Sequence, residues 1–165
     1  MVLLDATVLS NFSHIERVDL LRLALPDDVA TTPHVMAEVE HGIAAGKLPS
    51  NDWEWLDVVQ LTPAEEANLD QVRLVLGDGE ASCIAVALER KDVVIFTDDL
   101  DARRYAKRRD LPISGTLGVL SLLVVKKHLT VDQADACLSQ MIAHNYRSPV
   151  TSITDLVDEA ASDQA

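Results

Sequence analysis

Four acidic residues, spread over a hundred positions, carry the chemistry this chain can do: Asp5, Glu38, Glu80 and Asp99. Asp5 ends the apolar run Val2-Leu3-Leu4, and Asp99 ends Val93-Val94-Ile95-Phe96 through a Thr97-Asp98-Asp99 turn. Gathered in one place, carboxylates form an oxygen-rich site that selects hard cations such as Mg²⁺ or Mn²⁺. Left without a cation, carboxylates packed that closely repel one another. Each acid also has an ordinary structural use. Asp5 suits a strand-end cap of the next helix, Asp98 and Asp99 suit turns and caps, and Glu80 suits a first helical turn, where the dipole favours an acid. His34, Glu38 and His41 share one edge of a helix, which reads more readily as a solvated His/Glu rim than as a metal triad because no fourth ligand accompanies it.

The elements that must position these acids are legible from pattern. The two apolar runs read as buried parallel strands, with further strands over 29–31, 56–61 and 112–114. Helices alternate with them, the signature of βαβ units on a parallel sheet. Thr32-Pro33 and Thr62-Pro63 are helix starts, Thr capping and Pro in the first turn, opening helices to about Gly46 and Leu76. Gly77-Asp78-Gly79 is a turn whose Asp can cap a helix running through about Arg90. Its face toward the sheet is set by Ile84, Ala87 and Leu88, which points Glu80 inward at the helix start. Further helices span 99–109, 116–127, 131–144 and a short 152–159. In an open parallel sheet, functional groups collect at the carboxyl ends of the strands near the point where strand order reverses. If the strands before Asp5 and Asp99 are neighbours, their carboxylates converge.

Composition narrows the reading. At 165 residues and 48% hydrophobic, the chain closes one core and is expected to form a single domain. A formal charge of −13 argues against coating nucleic acid through the overall field, so any such role needs a local basic patch. One exists: Arg103, Arg104, Lys107, Arg108 and Arg109 place 5 of the 14 Lys/Arg within seven residues. The other use of such a cluster is a solvated face with cations near a helix C-terminus. Cys83 and Cys137 are isolated and read as buried thiols. No signal peptide or membrane span is expected, and a cytoplasmic protein is.

A series of motifs in order then carries a family resemblance. Leu4-Asp5-Ala6-Thr7-Val8-Leu9, the helix with Pro33-x4-Glu38, Gly77-Asp78-Gly79-Glu80-Ala81 with Ile84-Ala85-x-Ala87, and Phe96-Thr97-Asp98-Asp99 resemble the PIN domain, over a core of about 2–128 followed by C-terminal helices at about 131–160. The continuation into Ala102-Arg103-Arg104-Tyr105-Ala106 and Gly115-Thr116-Leu117-Gly118-Val119-Leu120 is similar to the branch with Gly-Glu-Ala at the third acid. The resemblance implies a three-layer α/β/α sandwich with a central, mostly parallel five-stranded sheet. It implies a Mg²⁺- or Mn²⁺-dependent ribonuclease, often the VapC-type toxin of a toxin–antitoxin pair, commonly homodimeric and blocked by an antitoxin protein. By that likeness Asp5, Glu38, Glu80 and Asp99 are the catalytic and metal-holding acids, Asp98 is auxiliary, and Thr7 and Thr97 are the hydroxyls beside them. Arg103, Arg104, Lys107 and Arg108 would meet the RNA substrate. Glu80 stands where many members have Asp, which keeps a catalytically silent, partner-binding PIN-like protein as the alternative.

Three other readings are weaker. A haloacid-dehalogenase-type phosphatase needs a second acid two residues after the first, where this chain has Thr7. A receiver domain wants its acidic pair near the first strand and a lysine after a late one, whereas the pair here is Asp98-Asp99 and the late strand leads into Ser114-Gly115-Thr116. A P-loop would need Gly-Lys-Ser/Thr after the glycine turn.

Overall fold

A computed structural model describes residues 1–154, 156 and 157. Its centre is a five-stranded sheet of β1 (Val2–Leu4), β2 (Val29–Thr31), β3 (Asp57–Val58), β4 (Val94–Phe96) and β5 (Ile113–Ser114). The spatial order is β3-β2-β1-β4-β5 with every pairing parallel, so the chain builds outward from β1 on one side and then restarts beside it with β4. The strand order therefore reverses between β1 and β4, which are in register from Val2↔Val94 to Leu4↔Phe96. The Asp5 amide extends that ladder by donating to the Phe96 carbonyl at 3.0 Å. Strands buried on both faces read as unbroken apolar runs, as β1 does.

Among the described residues, eight helices surround the sheet: α1 (Ala6–His14), α2 (Asp19–Ala24), α3 (Pro33–Ala44), α4 (Pro63–Val72), α5 (Asp78–Glu89), α6 (Leu100–Lys107), α7 (Thr116–Val125) and α8 (Val131–Ala143). α5 packs against α3, α4 and α6, while α7 packs against α2 and α8. Two helical layers thus enclose the sheet in a three-layer α/β/α sandwich. Thr32 and Thr62 cap α3 and α4 as expected, Thr62 within a reciprocal capping box with Glu65. Glu65 is also buried against Arg90, which donates to both its oxygens at 2.6 and 3.0 Å and so ties α4 to the end of α5.

Several boundaries differ from the pattern reading, each for a local reason. α4 stops at Val72, because the exposed Leu74 and Val75 turn the chain into Gly77. Gly77, in extended conformation, is the N-cap of α5, and Asp78 stands inside its first turn instead of capping it. α5 is buried almost all round from Ala81 to Ala87, but Leu88 faces out, since the helix is sandwiched between neighbours instead of lying on the sheet by one stripe. The third strand shrinks to Asp57–Val58. α1 and α2 occupy a stretch where no helix was expected. The helix expected over 152–159 falls partly outside the described residues.

Candidate active site

The carboxyl ends of β1 and β4 place Asp5 and the Thr97-Asp98-Asp99 turn side by side. Asp5 is wholly buried. Its Oδ2 accepts from the Thr7 hydroxyl at 2.9 Å and the Thr97 hydroxyl at 2.8 Å, while its buried Oδ1 has no partner among the described residues. Burial pushes the Asp5 carboxyl above its usual range against the pull of those two hydroxyls, and the nearby Glu38 charge adds to the rise. The hydroxyls do more than hold Asp5. Thr7 Oγ1 also accepts from the Asp98 amide at 2.9 Å, and Thr97 Oγ1 accepts from the Asp99 amide at 3.2 Å, so both thread the site to the turn beyond β4.

The other acids arrive from helices. Glu38, in α3, accepts from the Gly79 amide at 2.8 Å, using one of the free N–H groups at the start of α5. A side chain on Gly79 would run into that carboxylate, with a Cβ only 2.7 Å from Oε2. Glu80 follows on the first turn of α5, and its buried Oε2 also lacks a partner. Its carboxyl is pushed up to about 7, first by burial, then by the charge of Asp5, with Glu38 and Asp99 adding to it. Asp99 caps α6 by accepting from the Ala102 amide at 2.7 Å. The Cys83 thiol, one turn beyond Glu80, is fully buried and raised well above its usual range by that burial and by the charges of Asp5 and Glu80. Asp5, Glu38, Glu80 and Asp99 thus share one electrostatic neighbourhood at the switch point of the sheet.

Asp98 stands apart in kind. Its Oδ1 accepts from the Thr116 amide at 3.0 Å and the Tyr146 hydroxyl at 3.4 Å, and its Oδ2 from Asn11 Nδ2 at 3.0 Å and the Thr116 hydroxyl at 2.6 Å. With both oxygens occupied, Asp98 joins α1, β4, α7 and the segment after α8. Asn11 and Tyr146 do not stand out in the sequence, and Thr116 stands out only within the Gly115-Thr116 motif. Asn11 lies one helical turn after Thr7 and so shares its face, a signal that could have been used; nothing local points to Tyr146.

The basic helix divides as well. Arg103 turns inward, donating to the Thr97 carbonyl at 2.9 Å and the Ser114 carbonyl at 2.8 Å, which fastens the ends of β4 and β5. Arg104 pairs with Asp101 at 3.1 Å, and Arg109 lies over the Tyr105 ring at 3.7 Å. Lys107 and Arg108 are exposed and make no ion pair with a described residue.

Two clefts meet at Glu80. One, of about 340 Å³, runs from Glu38, Glu80 and Asp98 toward α1 and the segment after α8. The other, of about 250 Å³, lies between Asp99 and the Leu74-Val75 turn. A larger hollow of about 570 Å³ lies at the opposite end of the strands, between Arg22, Trp55 and the start of β2, away from the acids. Among the described residues, no three His, Cys, Asp or Glu side chains close tightly enough to enclose an ion on their own. The His34, Glu38 and His41 edge is accordingly no triad. Glu38 and Glu80 line an open cleft with Asp5 buried behind them, and the chemistry fits a hard divalent cation that keeps part of its hydration: all-oxygen donors, two of the oxygens buried and unpartnered among the described residues.

No helix of the described residues is long and apolar enough to cross a membrane. A family model described as "DUF3368: PIN domain" matches residues 1–162. Neither a curated protein nor a solved structure matches the chain. With the acids at the switch point of a parallel α/β/α sheet and the match running almost end to end, the chain belongs to the PIN-domain family, a family of nucleases.

Proposed function

We propose that this chain is a divalent-metal-dependent endoribonuclease acting as the toxin of a toxin–antitoxin pair. The observation that carries the enzymatic reading is the pair of buried, unpartnered carboxylate oxygens, Asp5 Oδ1 and Glu80 Oε2, in a ring shared with Glu38 and Asp99. Leaving buried polar atoms unpaired costs roughly 1–3 kcal/mol each, a cost that a resident cation would offset. Asp5, Glu80 and Asp99 would hold Mg²⁺ or Mn²⁺, with Glu38 joining directly or through water. When bound, such an ion supplies Lewis acidity that acidifies an attacking water and offsets charge on the leaving oxygen.

The chain's own part is positioning. Thr7 and Thr97 fix the Asp5 carboxylate, the Gly79 amide fixes Glu38, and the first turn of α6 fixes Asp99. A phosphodiester laid across Glu80 is hydrolysed when water oxygen bonds to phosphorus and one ester oxygen leaves, taking up a proton. No side-chain nucleophile is required. Lys107 and Arg108 supply cations for the RNA backbone, with Arg104 at the rim. The toxin role, the antitoxin partner and the homodimer rest on the family likeness, and the cytoplasmic setting on the sequence pattern.

Asp5→Asn and Asp99→Asn proteins should fold and lose Mn²⁺-dependent cleavage of single-stranded RNA. Undiminished cleavage by the Asp5→Asn protein would sink the proposal. A second reading, a silent PIN-like binding protein, draws on the open ring and on Glu80 in place of Asp. Calorimetry separates the two: micromolar Mn²⁺ binding that Asp5→Asn abolishes supports the enzyme, and no measurable binding supports the silent module.

A further inference from the structure

The cleft that leaves Glu38 and Glu80 toward the C-terminal part of the chain extends well beyond what the acids occupy. Its far wall is His14, the last residue of α1, and the segment His144 to Arg147 that follows α8. The His14 and His144 rings lie within 9° of parallel with centroids 5.1 Å apart. Burial and the neighbouring His144 hold the His14 imidazole below its usual range, so His14 offers a neutral ring. Asn145 adopts a left-handed φ of 72°, a conformation Asn tolerates, and turns the chain back out of α8. The Tyr146 hydroxyl on Asp98 anchors that turn. The result presents Arg147, exposed and without an ion pair to any described residue, at the edge of the acid ring.

A polyanion approaching four carboxylates on a chain of formal charge −13 needs a cation at the mouth of the site, because the overall field opposes it. Within this cleft Arg147 is the one guanidinium or ammonium group among the described lining residues. Sites for single-stranded nucleic acid combine such a backbone contact with flat rings on which an unstacked base rests. The cleft volume of about 340 Å³ falls at the low end of small-ligand pockets, roughly 300–1,000 Å³. That suits one splayed nucleotide.

We infer that this cleft is a nucleotide subsite, taking the nucleotide that flanks the cleaved bond in a single-stranded RNA, its phosphate against Arg147 and its base against the exposed His144 ring. The inference rests on the nuclease reading of the acids. It gives the C-terminal segment a part in substrate binding beyond its packing on the core.

The test uses the full chain. Binding of a labelled short single-stranded RNA is followed by fluorescence anisotropy across a salt series in the Asp5→Asn background, and cleavage kinetics are measured in the otherwise wild-type background. Arg147→Ala should weaken binding roughly tenfold and lower the slope of log affinity against log salt by about 0.7, the loss of one single-strand phosphate contact. Arg147→Lys should restore the slope. His144→Ala should weaken binding several-fold with the slope unchanged. In cleavage both alanine variants should raise KM and leave kcat within about twofold. On a chromogenic phosphodiester such as bis(p-nitrophenyl) phosphate, which carries no nucleotide to fill the cleft, they should match wild type, which a merely structural defect would not allow. An unchanged affinity and slope for Arg147→Ala, while the parent still binds and cleaves, overturns the subsite and leaves the nuclease reading standing. Equal, Arg147-dependent binding of a duplex overturns the single-strand assignment. A wild-type protein that neither binds nor cleaves RNA defeats both readings.

Discussion

Gly79 and Glu38 meet across 41 positions of sequence, the amide of one donating to the carboxylate of the other at 2.8 Å. The contact needs a residue without a side chain, because a Cβ at position 79 would lie 2.7 to 2.9 Å from three atoms of the Glu38 carboxylate. What yields is the flexible end of Glu38, not backbone. Gly79→Ala should therefore fold, with a melting temperature within a few degrees of wild type, yet displace Glu38 and lower Mn²⁺ affinity roughly tenfold by calorimetry. A large loss of stability with metal affinity intact would show that Gly79 serves packing instead of the acid ring.

The same crowding of acids predicts how stability depends on pH. Glu80, raised to about 7 mainly by burial, prefers its proton in the folded state more than in the unfolded one. Its contribution is full below the unfolded carboxyl range near 4.5 and is lost as pH rises through about 7. Asp5, also raised by burial, acts in the same direction. Glu65 does the reverse: its carboxyl is held low chiefly by the Arg90 hydrogen bonds, so its contribution is present above the unfolded value and lost as pH falls through the folded one. In metal-free buffer the melting temperature should peak in mildly acidic solution and fall on both sides. Glu80→Gln should flatten the alkaline fall and leave the acid limb alone. Arg90→Ala should steepen nothing on the alkaline side but destabilise at neutral pH by about 2–4 kcal/mol, less than a fully buried pair because Arg90 is 32% exposed. Parallel alkaline limbs for wild type and Glu80→Gln would refute the assignment.

How far these relationships could be read beforehand depends on range. Local signals served well: Thr32 and Thr62 announce their helices, and the apolar runs before Asp5 and Asp99 announce strands whose adjacency then brings the acids together. Glu80 was oriented correctly from helical spacing, but Leu88 was not, since α5 is enclosed by three helices and no longer obeys a single stripe. α1 escaped because the polar Ser10, Asn11 and His14 interrupt the apolar pattern at the points where the helix borders the site. Tyr146 lies 48 residues from Asp98, and only tertiary structure joins them. Arg103 looked like one more cation of a basic face. Its commitment to two strand-end carbonyls depends on β5 lying beside β4, a pairing that the short strand expected over 112–114 does not announce.

Asp98 and Asp99 are adjacent yet should respond differently to substitution. Asp98 receives four hydrogen bonds from three other elements of the fold, so Asp98→Ala strands the donors of Asn11 and Thr116 and should cost about 2–4 kcal/mol in denaturant unfolding. Its effect on Mn²⁺ affinity should stay within about threefold. Asp99→Asn keeps an oxygen to cap α6 and should cost well under 1 kcal/mol, while reducing metal binding sharply. Reversed outcomes, with Asp98 governing the metal and Asp99 the stability, would exchange the roles given to the two residues.

The last prediction separates the cations of α6, which sequence alone presents as one patch. Lys107 and Arg108 point to solvent without ion pairs to described residues, whereas Arg103 spends one nitrogen of its guanidinium on the carbonyls of Thr97 and Ser114. If the exposed pair meets phosphate, the double variant Lys107→Ala/Arg108→Ala should lower the salt slope of single-stranded RNA binding by up to about 1.4, twice the single-contact value of about 0.7, with unfolding unchanged. Arg103→Ala should do the opposite. The Thr97 carbonyl loses this donor and the Ser114 carbonyl keeps the Thr97 amide, unfolding becomes easier by about 1–3 kcal/mol, and the Thr97-Asp98-Asp99 turn loosens, so cleavage falls through kcat while the salt slope stays near wild type. The two variants thus part along different axes, one electrostatic and one structural. A salt slope that drops for Arg103→Ala and not for the double variant would place the RNA on the inner side of α6 and remove Lys107 and Arg108 from the binding face.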